Sequence, residues 1–356
     1  MTTLAAWLHD LSPFAVQLWP GFGLRWYGLS YAVGFLIAWI VLRWLISRGA
    51  AQIPKDRASD AIILMAIGAV VGGRLGYAIF YEPSLFWRFT GSLPYWQLLD
   101  LTKGGMSSHG GITGVVLTAW RVSRGFKGDT AERVGRTTWL HVLDLTTLMA
   151  PFGLFLGRIA NFINGELLGR IVAMPGEPAP WWAVKFPQEV LSEHAPPLTP
   201  EQVFRLEDLV ERTATGSEAG FVQGYERLMQ QVQRGAPDLA RELEPLLAAR
   251  HPSQLYQAFA EGIVVGVVVW AVAAQPRKPG ILGCWFLITY GVTRVLTELW
   301  RLPDGHLAVQ RLGGLSRGQW LSVAMVVLGV VMLWRLSRGT MNAVGGWAFR
   351  RTTPAA

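Results

Sequence analysis

Seven predominantly apolar runs recur along this chain of 356 residues, at 24–46, 60–81, 104–120, 139–162, 253–273, 280–299 and 320–336. Nothing else constrains the fold as strongly. About twenty such residues match a helix crossing the roughly 30 Å hydrocarbon layer of a bilayer. No water satisfies backbone groups in that layer, so each run is expected to close its own hydrogen bonds as a helix. Composition agrees: 51% of residues are hydrophobic and 16% charged, against about 25% charged in average soluble domains.

The net charge is +8, a balance that could suggest nucleic acid. The basic residues fall instead in short clusters between apolar runs: Arg43, Arg48, Lys55 and Arg57; Arg121, Arg124, Lys127, Arg133 and Arg136; Arg277 and Lys278; Arg335, Arg338, Arg350 and Arg351. Clustered Lys and Arg mark cytoplasmic loops. The loops after runs one, three and five and the C-terminus are therefore expected in the cytoplasm, with the N-terminus on the far side. The loop after run six (Arg301, Arg311, Arg317) departs from this pattern. No zinc-finger, RRM or KH pattern is present, so nucleic acid is not an expected partner.

The expected architecture is an all-α polytopic membrane protein of about seven transmembrane helices. Residues 1–22 are expected to form an interfacial amphipathic helix carrying Trp7, Leu8, Leu11, Phe14, Val16, Leu18 and Trp19, stopped near Pro20-Gly21. Residues 23–169 hold spans one to four, and the aromatic-rich connection 82–103 reads as an interfacial belt. Residues 170–250 turn acidic (Glu201, Glu207, Asp208, Glu211, Glu226, Glu242, Glu244) and form a polar head between spans four and five. Residues 251–338 hold spans five to seven, and 339–356 a cytoplasmic tail without a motif. No basic n-region precedes the first run, so no cleavable signal peptide is expected. The single Cys284 allows no intramolecular disulfide. The histidines lack metal-ligand spacing, and no metal or cofactor is expected.

Polar groups at membrane depth stand out against this background. The stretch 157–170, Gly-Arg-Ile-Ala-Asn-Phe-Ile-Asn-Gly-Glu-Leu-Leu-Gly-Arg, closes run four with two arginines, two asparagines and a glutamate. Arg158 and Asn161, three apart, share a helix face. Such groups must face protein, ligand or an aqueous cavity, which makes the stretch a candidate anion site. Arg74 lies among Gly72, Gly73 and Gly76, and either a helix contact or a ligand would explain it. Asp144 fits an ion-pair partner for a buried arginine. His109, between Gly104-Gly105 and Gly110-Gly111, is expected on a re-entrant, ligand-facing loop. Tyr290, Arg294, Glu298 and Arg301 form one stripe on run six, compatible with a structural ion pair or with a site. Tyr27, Tyr31, Gln254 and Tyr256 add hydroxyl and amide groups near span ends, where belt packing serves the tyrosines equally well. Arginine matches phosphate with paired donors and stays charged when buried. A phospholipid headgroup is the anion available at that depth.

Several of these motifs occur together in one family. Trp26-Tyr27-Gly28, Gly72-Gly73-Arg74-Leu75-Gly76-Tyr77, Gly104-Gly105-Met106-Ser107-Ser108-His109-Gly110-Gly111, the 157–170 stretch, His251-Pro252-Ser253-Gln254-Leu255-Tyr256 and Tyr290-Gly291 with Arg294, Glu298 and Arg301 resemble phosphatidylglycerol–prolipoprotein diacylglyceryl transferases. The resemblance runs over roughly residues 24–305. It implies a seven-span enzyme of the bacterial inner membrane with a periplasmic head. Such an enzyme moves the diacylglyceryl group of phosphatidylglycerol onto the lipobox cysteine of a prolipoprotein signal peptide, releasing glycerol-1-phosphate. By resemblance, Arg158 binds the lipid, with Asn161, Asn164, Glu166, Gly169, Arg74 and Arg301 around it. Arg294 is the second essential arginine, and Glu298, Tyr27 and Tyr290 join it among the catalytic candidates. His109, or the Arg294–Glu298 pair, would activate the thiol. The head, longer and more acidic than the family leads one to expect, is either a substrate-contacting addition or a tolerated insertion. A phospholipid transporter or flippase, binding the headgroup without chemistry, is the alternative from another class.

Overall fold

A computed structural model describes residues 6–19, 22–101, 104–128, 132–213, 220–302, 311–312 and 314–348. It is mostly helical. Strands β1 (Trp7–Leu8), β2 (Phe14–Trp19) and β3 (Phe22–Arg25) precede helix α1 (Trp26–Ser47). Helices α2 (Ala58–Phe80) and α3 (Ser108–Ser123), strands β4 (Phe126–Lys127) and β5 (Arg133–Val134), and helix α4 (Trp139–Asn164) follow. The head comprises β6 (Ile171–Ala173), β7 (Val184–Lys185), α5 (Pro200–Thr213), α6 (Phe221–Gln233), α7 (Pro237–Leu243) and β8 (Ala249–Arg250). The chain ends with α8 (Ser253–Gln257), a π-helical turn (Ala258–Val264), α9 (Val265–Val272), α10 (Ile281–Thr297), β9 (Arg311–Leu312), β10 (Leu315–Ser316) and α11 (Arg317–Arg338).

Among the described residues, five helices are long and apolar enough to cross a membrane: Trp26–Ser47, Lys55–Phe80, Trp139–Asn164, Ser253–Val272 and Gly318–Arg338. Two further apolar runs make shorter helices, α3 of 16 residues and α10 of 17. At 1.5 Å per residue they reach only about 24–26 Å. Helix α3 starts late because Gly104 and Gly105 both take φ of +77°, a conformation outside the helical region.

The all-α expectation is corrected at the N-terminus and in the head. Of the range 1–22, the described residues 6–19 and 22 do not form an interfacial helix: β1 pairs in parallel with β7, and β2 pairs antiparallel with β3. The expected stop near Pro20-Gly21 lies outside the described residues. Pro13 would break a helix there, and the aromatic and β-branched residues of 14–19 favour extended backbone. Strands β1, β7, β8 and β6 form one four-stranded sheet.

The chain divides into two compact units. The first comprises Met1–Ala32, Gly153–Val265 and Thr289–Val327. Its head has a core of its own, with Leu206, Leu209, Val210, Tyr225, Leu228, Val232, Leu243, Leu246 and Leu247 packed together from α5, α6, α7 and the turn after α7. The Tyr225 hydroxyl donates to the Pro187 carbonyl at 2.7 Å. Glu189, fully buried, accepts from the Ala248 N–H at 2.6 Å and from Arg250 Nε. Arg250 also donates to the carbonyls of Gly169 (3.1 Å) and His194 (2.7 Å). This core is integral to the unit, since Leu8, Val190 and Leu198 pack against it.

His9 ties the N-terminal segment to α4. Its Nε2 donates to the Phe162 carbonyl at 2.8 Å, and the ring is fully buried beside Phe162 and Phe186. Burial holds this imidazole below its ordinary 6.5. A ring kept neutral in the fold but free to protonate when unfolded contributes no pH dependence above about 6.5 and removes stability as pH falls below it. The thermal midpoint should therefore drop more steeply between pH 7 and 5 in the wild type than in His9→Gln. Parallel pH profiles would show the folded ring to be charged.

The second unit comprises Val33–Phe152, Gly266–Ile288 and Leu328–Ala356. Helices α2 and α3 meet through small residues, Gly68, Gly72 and Gly76 against Gly110, Gly114 and Thr118. A Cβ on Gly114 would overlap the Gly68 carbonyl oxygen, and one on Gly110 that of Gly72. Close backbone approach of this kind drives helix association where lipid removes the hydrophobic incentive. Gly114→Ala should cost about 1–3 kcal/mol through overpacking. Gly153→Ala, inside α4 where a Cβ meets nothing within 4 Å, should leave the melting temperature unchanged or raise it slightly. Among the described residues, Asp144 pairs with no arginine. It accepts from the backbone N–H groups of Gly280 (2.7 Å) and Gly283 (2.9 Å), capping α10 from another helix.

Candidate active site at the end of helix α4

The 157–170 stretch bends where its residue types require it. Helix α4 ends at Asn164, and Gly165 takes φ of +67°. The Gly165 N–H donates to the Phe162 carbonyl and the Glu166 N–H to that of Asn161, both at 3.0 Å. This is a Schellman end, which recaptures carbonyls the helix leaves unpaired. Beyond it, residues 168–170 run between two other segments. Leu302 N–H donates to the Leu168 carbonyl (3.1 Å), Arg170 N–H to that of Trp300 (2.9 Å), and His251 N–H to that of Arg170 (3.0 Å). Gly169 and Arg301 form an antiparallel bridge. A Cβ on Gly169 would overlap the His251 carbonyl oxygen, so only glycine fits.

The same folding gathers the charged groups. Arg158 donates from Nε and Nη2 to one oxygen of Glu261, both at 2.9 Å. Glu261 is fully buried, and its other oxygen lies 3.9 Å from Arg294 Nη1. Arg294 Nη1 sits 3.0 Å from Glu298, which Arg301 approaches at 3.8 Å. Ser316 Oγ donates to the second Glu298 oxygen at 3.1 Å. Tyr290 shares a hydrogen bond with Arg158, and Tyr27 lies within electrostatic reach of the same guanidinium. Asn161 and Asn164 both donate to Glu166, at 3.0 and 3.1 Å. In this chain of carboxylates and guanidiniums, three arginines face two buried glutamates and leave one positive charge.

A family model described as prolipoprotein diacylglyceryl transferase matches residues 13–335. The chain belongs to the prolipoprotein diacylglyceryl transferase family. Proteins named phosphatidylglycerol–prolipoprotein diacylglyceryl transferase are similar over nearly their whole length. That of Bdellovibrio bacteriovorus is 39% identical, covering 96% of this chain and 97% of the relative. Those of Paraburkholderia phymatum and Neisseria gonorrhoeae are 36% and 35% identical, covering 94% and 91% of this chain and 96% and 95% of each relative. The comparisons give the transporter alternative no support.

Within the transferase, Arg158, Asn161, Asn164, Glu166, Gly169, Tyr27, Tyr290, Arg294, Glu298 and Arg301 all fall in the first unit. Arg74 and His109 fall in the second. Arg74 donates all five of its N–H bonds to backbone carbonyls: Leu98 (2.7 Å), Gly104 (2.8 Å), Gly105 (2.9 Å), Gln97 (2.7 Å) and Asp100 (3.0 Å). No donor is left for a phosphate, so the expected headgroup contact gives way to a clamp on the 97–105 segment. His109 is not on a loop. It lies in the first turn of α3 with an exposed side chain, after the N-cap Ser107, whose hydroxyl accepts from the Gly110 N–H at 3.3 Å.

Glu261 is the residue that sequence reasoning passed over. Its signal was present: it is the one acidic residue in the run 253–273. The π-helical turn that carries it, Ala258–Val264, is of a kind often found at functional sites.

Proposed function

We propose that the chain transfers the sn-1,2-diacylglyceryl group of phosphatidylglycerol to the lipobox cysteine thiol of a prolipoprotein signal peptide. A thioether forms and glycerol-1-phosphate leaves. The observation that carries this reading is the largely buried Arg158–Glu261–Arg294–Glu298–Arg301 chain and its single excess positive charge. A phosphodiester carries one negative charge, so one headgroup completes the balance. Sulfur attacks the glyceryl carbon, and the C–O electron pair passes to the phosphate, whose charge grows from one to two. Arginines placed around the growing charge stabilise the transition state more than the ground state, and no general acid is needed.

The thiolate is the nucleophile, and a free thiol with a pKa of about 8.5 must first lose its proton. His109 and the Arg294–Glu298 pair are the two routes to it. The 3.0 Å contact of that pair inside the arginine cluster favours the electrostatic one. If His109→Gln keeps near-normal turnover across pH 6–9 while Arg294→Ala does not, the histidine has no part in the step. Seven spans in the bacterial inner membrane, with the N-terminus and head in the periplasm and the tail in the cytoplasm, complete the proposal. The five long helices, the two shorter ones and the distribution of Lys and Arg support it.

The test is a product. Purified protein with phosphatidylglycerol and a lipobox-cysteine peptide should yield lipidated peptide and glycerol-1-phosphate in equal amounts. Headgroup binding with neither product would overturn the proposal.

A further inference from the structure

Helix α4 and the continuous helix Ser253–Val272 run antiparallel in the first unit, and three contacts set their register. Gln254 donates from Nε2 to the Glu166 carbonyl, Arg158 reaches Glu261, and Gly262 packs on Phe155. Gln257 lies between the first two contacts, on the face that carries Gln254 and Glu261. It is fully buried, and among the described residues neither its amide nitrogen nor its amide oxygen has a hydrogen-bond partner. The Gln254 amide oxygen is likewise buried and unpartnered. A buried amide without partners is costly, and native folds tolerate one mainly where a ligand or water completes it. Three such atoms on one helix face, beside the arginine cluster, point to a polar ligand that both donates and accepts.

We infer that Gln257, helped by the Gln254 oxygen, recognises the terminal glycerol of the phosphatidylglycerol headgroup and selects this donor lipid over others. The inference rests on the transferase reading. A vicinal diol presents two hydroxyls that each donate and accept, matching an amide that offers one group of each kind. Phosphate held by Arg158 and Arg294 would leave the glycerol beyond it in reach of the neighbouring helix face. The excess positive charge of the cluster disfavours a cationic headgroup at the same place, which adds a repulsive element to the selection. A site built around substrate hydroxyls also rejects analogues that lack them, because its own polar groups then stay unpaired.

The experiment compares two donors of equal charge: phosphatidylglycerol, and phosphatidylmethanol, which keeps the phosphodiester but has no hydroxyls. Initial rates of transfer to a lipobox-cysteine peptide give kcat/KM for each. The wild type should prefer phosphatidylglycerol by about 100-fold or more. Gln257→Met, close in volume and without the amide, should bring that ratio below about tenfold, with the loss in KM for phosphatidylglycerol. Gln257→Asn, whose amide is withdrawn by one methylene, should fall between, and it carries the test if the methionine variant does not fold. A ratio that stays at the wild-type value in the folded variants overturns the assignment, as does an equal loss on both donors. If the wild type transfers from neither lipid, the transferase reading itself fails and the inference falls with it.

Discussion

Replacing Glu261 with alanine should lower diacylglyceryl transfer by about 100-fold or more. The carboxylate holds Arg158 through two donors to one oxygen, and its other oxygen lies 3.9 Å from Arg294. Removing it leaves two neighbouring guanidiniums without the negative charge between them. Breaking a buried pair in this way typically costs about 3–5 kcal/mol, because the remaining charge stays desolvated. Part of that cost should appear as lower stability and part as a misplaced Arg158. Glu261→Gln separates the two. It keeps the volume and one acceptor for Arg158 but removes the charge, so its melting temperature should stay closer to that of the wild type. Its transfer rate should still fall by about tenfold or more, since a neutral amide accepts weaker bonds from Arg158 and holds that guanidinium less firmly in place. The measurements are initial transfer rates and thermal midpoints of the purified variants. An alanine variant within threefold of the wild type would show that Arg158 is held by something else.

Glu261 also marks the limit of what the sequence discloses. The apolar runs 24–46, 139–162 and 320–336 turn into α1, α4 and α11 because continuous apolarity of that length leaves the backbone little choice. Arg158, Arg294 and Glu298 announce themselves because charge inside such runs needs an explanation. Their partners do not, since partnership depends on tertiary register. Arg158 and Glu261 are 103 residues apart, and the antiparallel approach of two helices is what joins them. Arg74 shows the same limit from the other side. Its glycine neighbours mark a close helix contact, which exists, but its acceptors are carbonyls of residues 97–105, and side-chain patterns say nothing about carbonyls. At the N-terminus the apolar residues of 7–19 have the composition of an interfacial helix. What decides their structure is pairing, β1 with Val184–Lys185 and β2 with β3. In the head, amphipathic stretches give α5, which is acidic, and α6, while the sheet rests on strands of two or three residues, too short to leave a pattern.

Two glycines of the 157–170 stretch should respond in opposite ways to the same methyl group. Gly169→Ala places a Cβ on the carbonyl oxygen and carbonyl carbon of His251, which are backbone atoms that cannot rotate away. Relief requires residues 168–170 to separate from His251, and those residues also hold the 300–302 segment through the Leu302–Leu168 and Arg170–Trp300 bonds. The Gly169–Arg301 bridge then opens, and Arg301 leaves its place beside Glu298. The Arg250 bond to the Gly169 carbonyl, which ties the head to the stretch, is lost as well. A displacement of about 1 Å at a catalytic cluster can cost 100-fold in rate, so transfer should fall by at least that factor even in protein that folds. Gly157→Ala meets nothing within 4 Å and lies inside α4. There alanine is the better helix former by up to about 1 kcal/mol, and both activity and melting temperature should match or exceed the wild type. Assaying the two variants side by side separates a general intolerance of the stretch from the steric demand at one position. Equal losses in both would mean that the overlap at His251 is not what makes residue 169 a glycine.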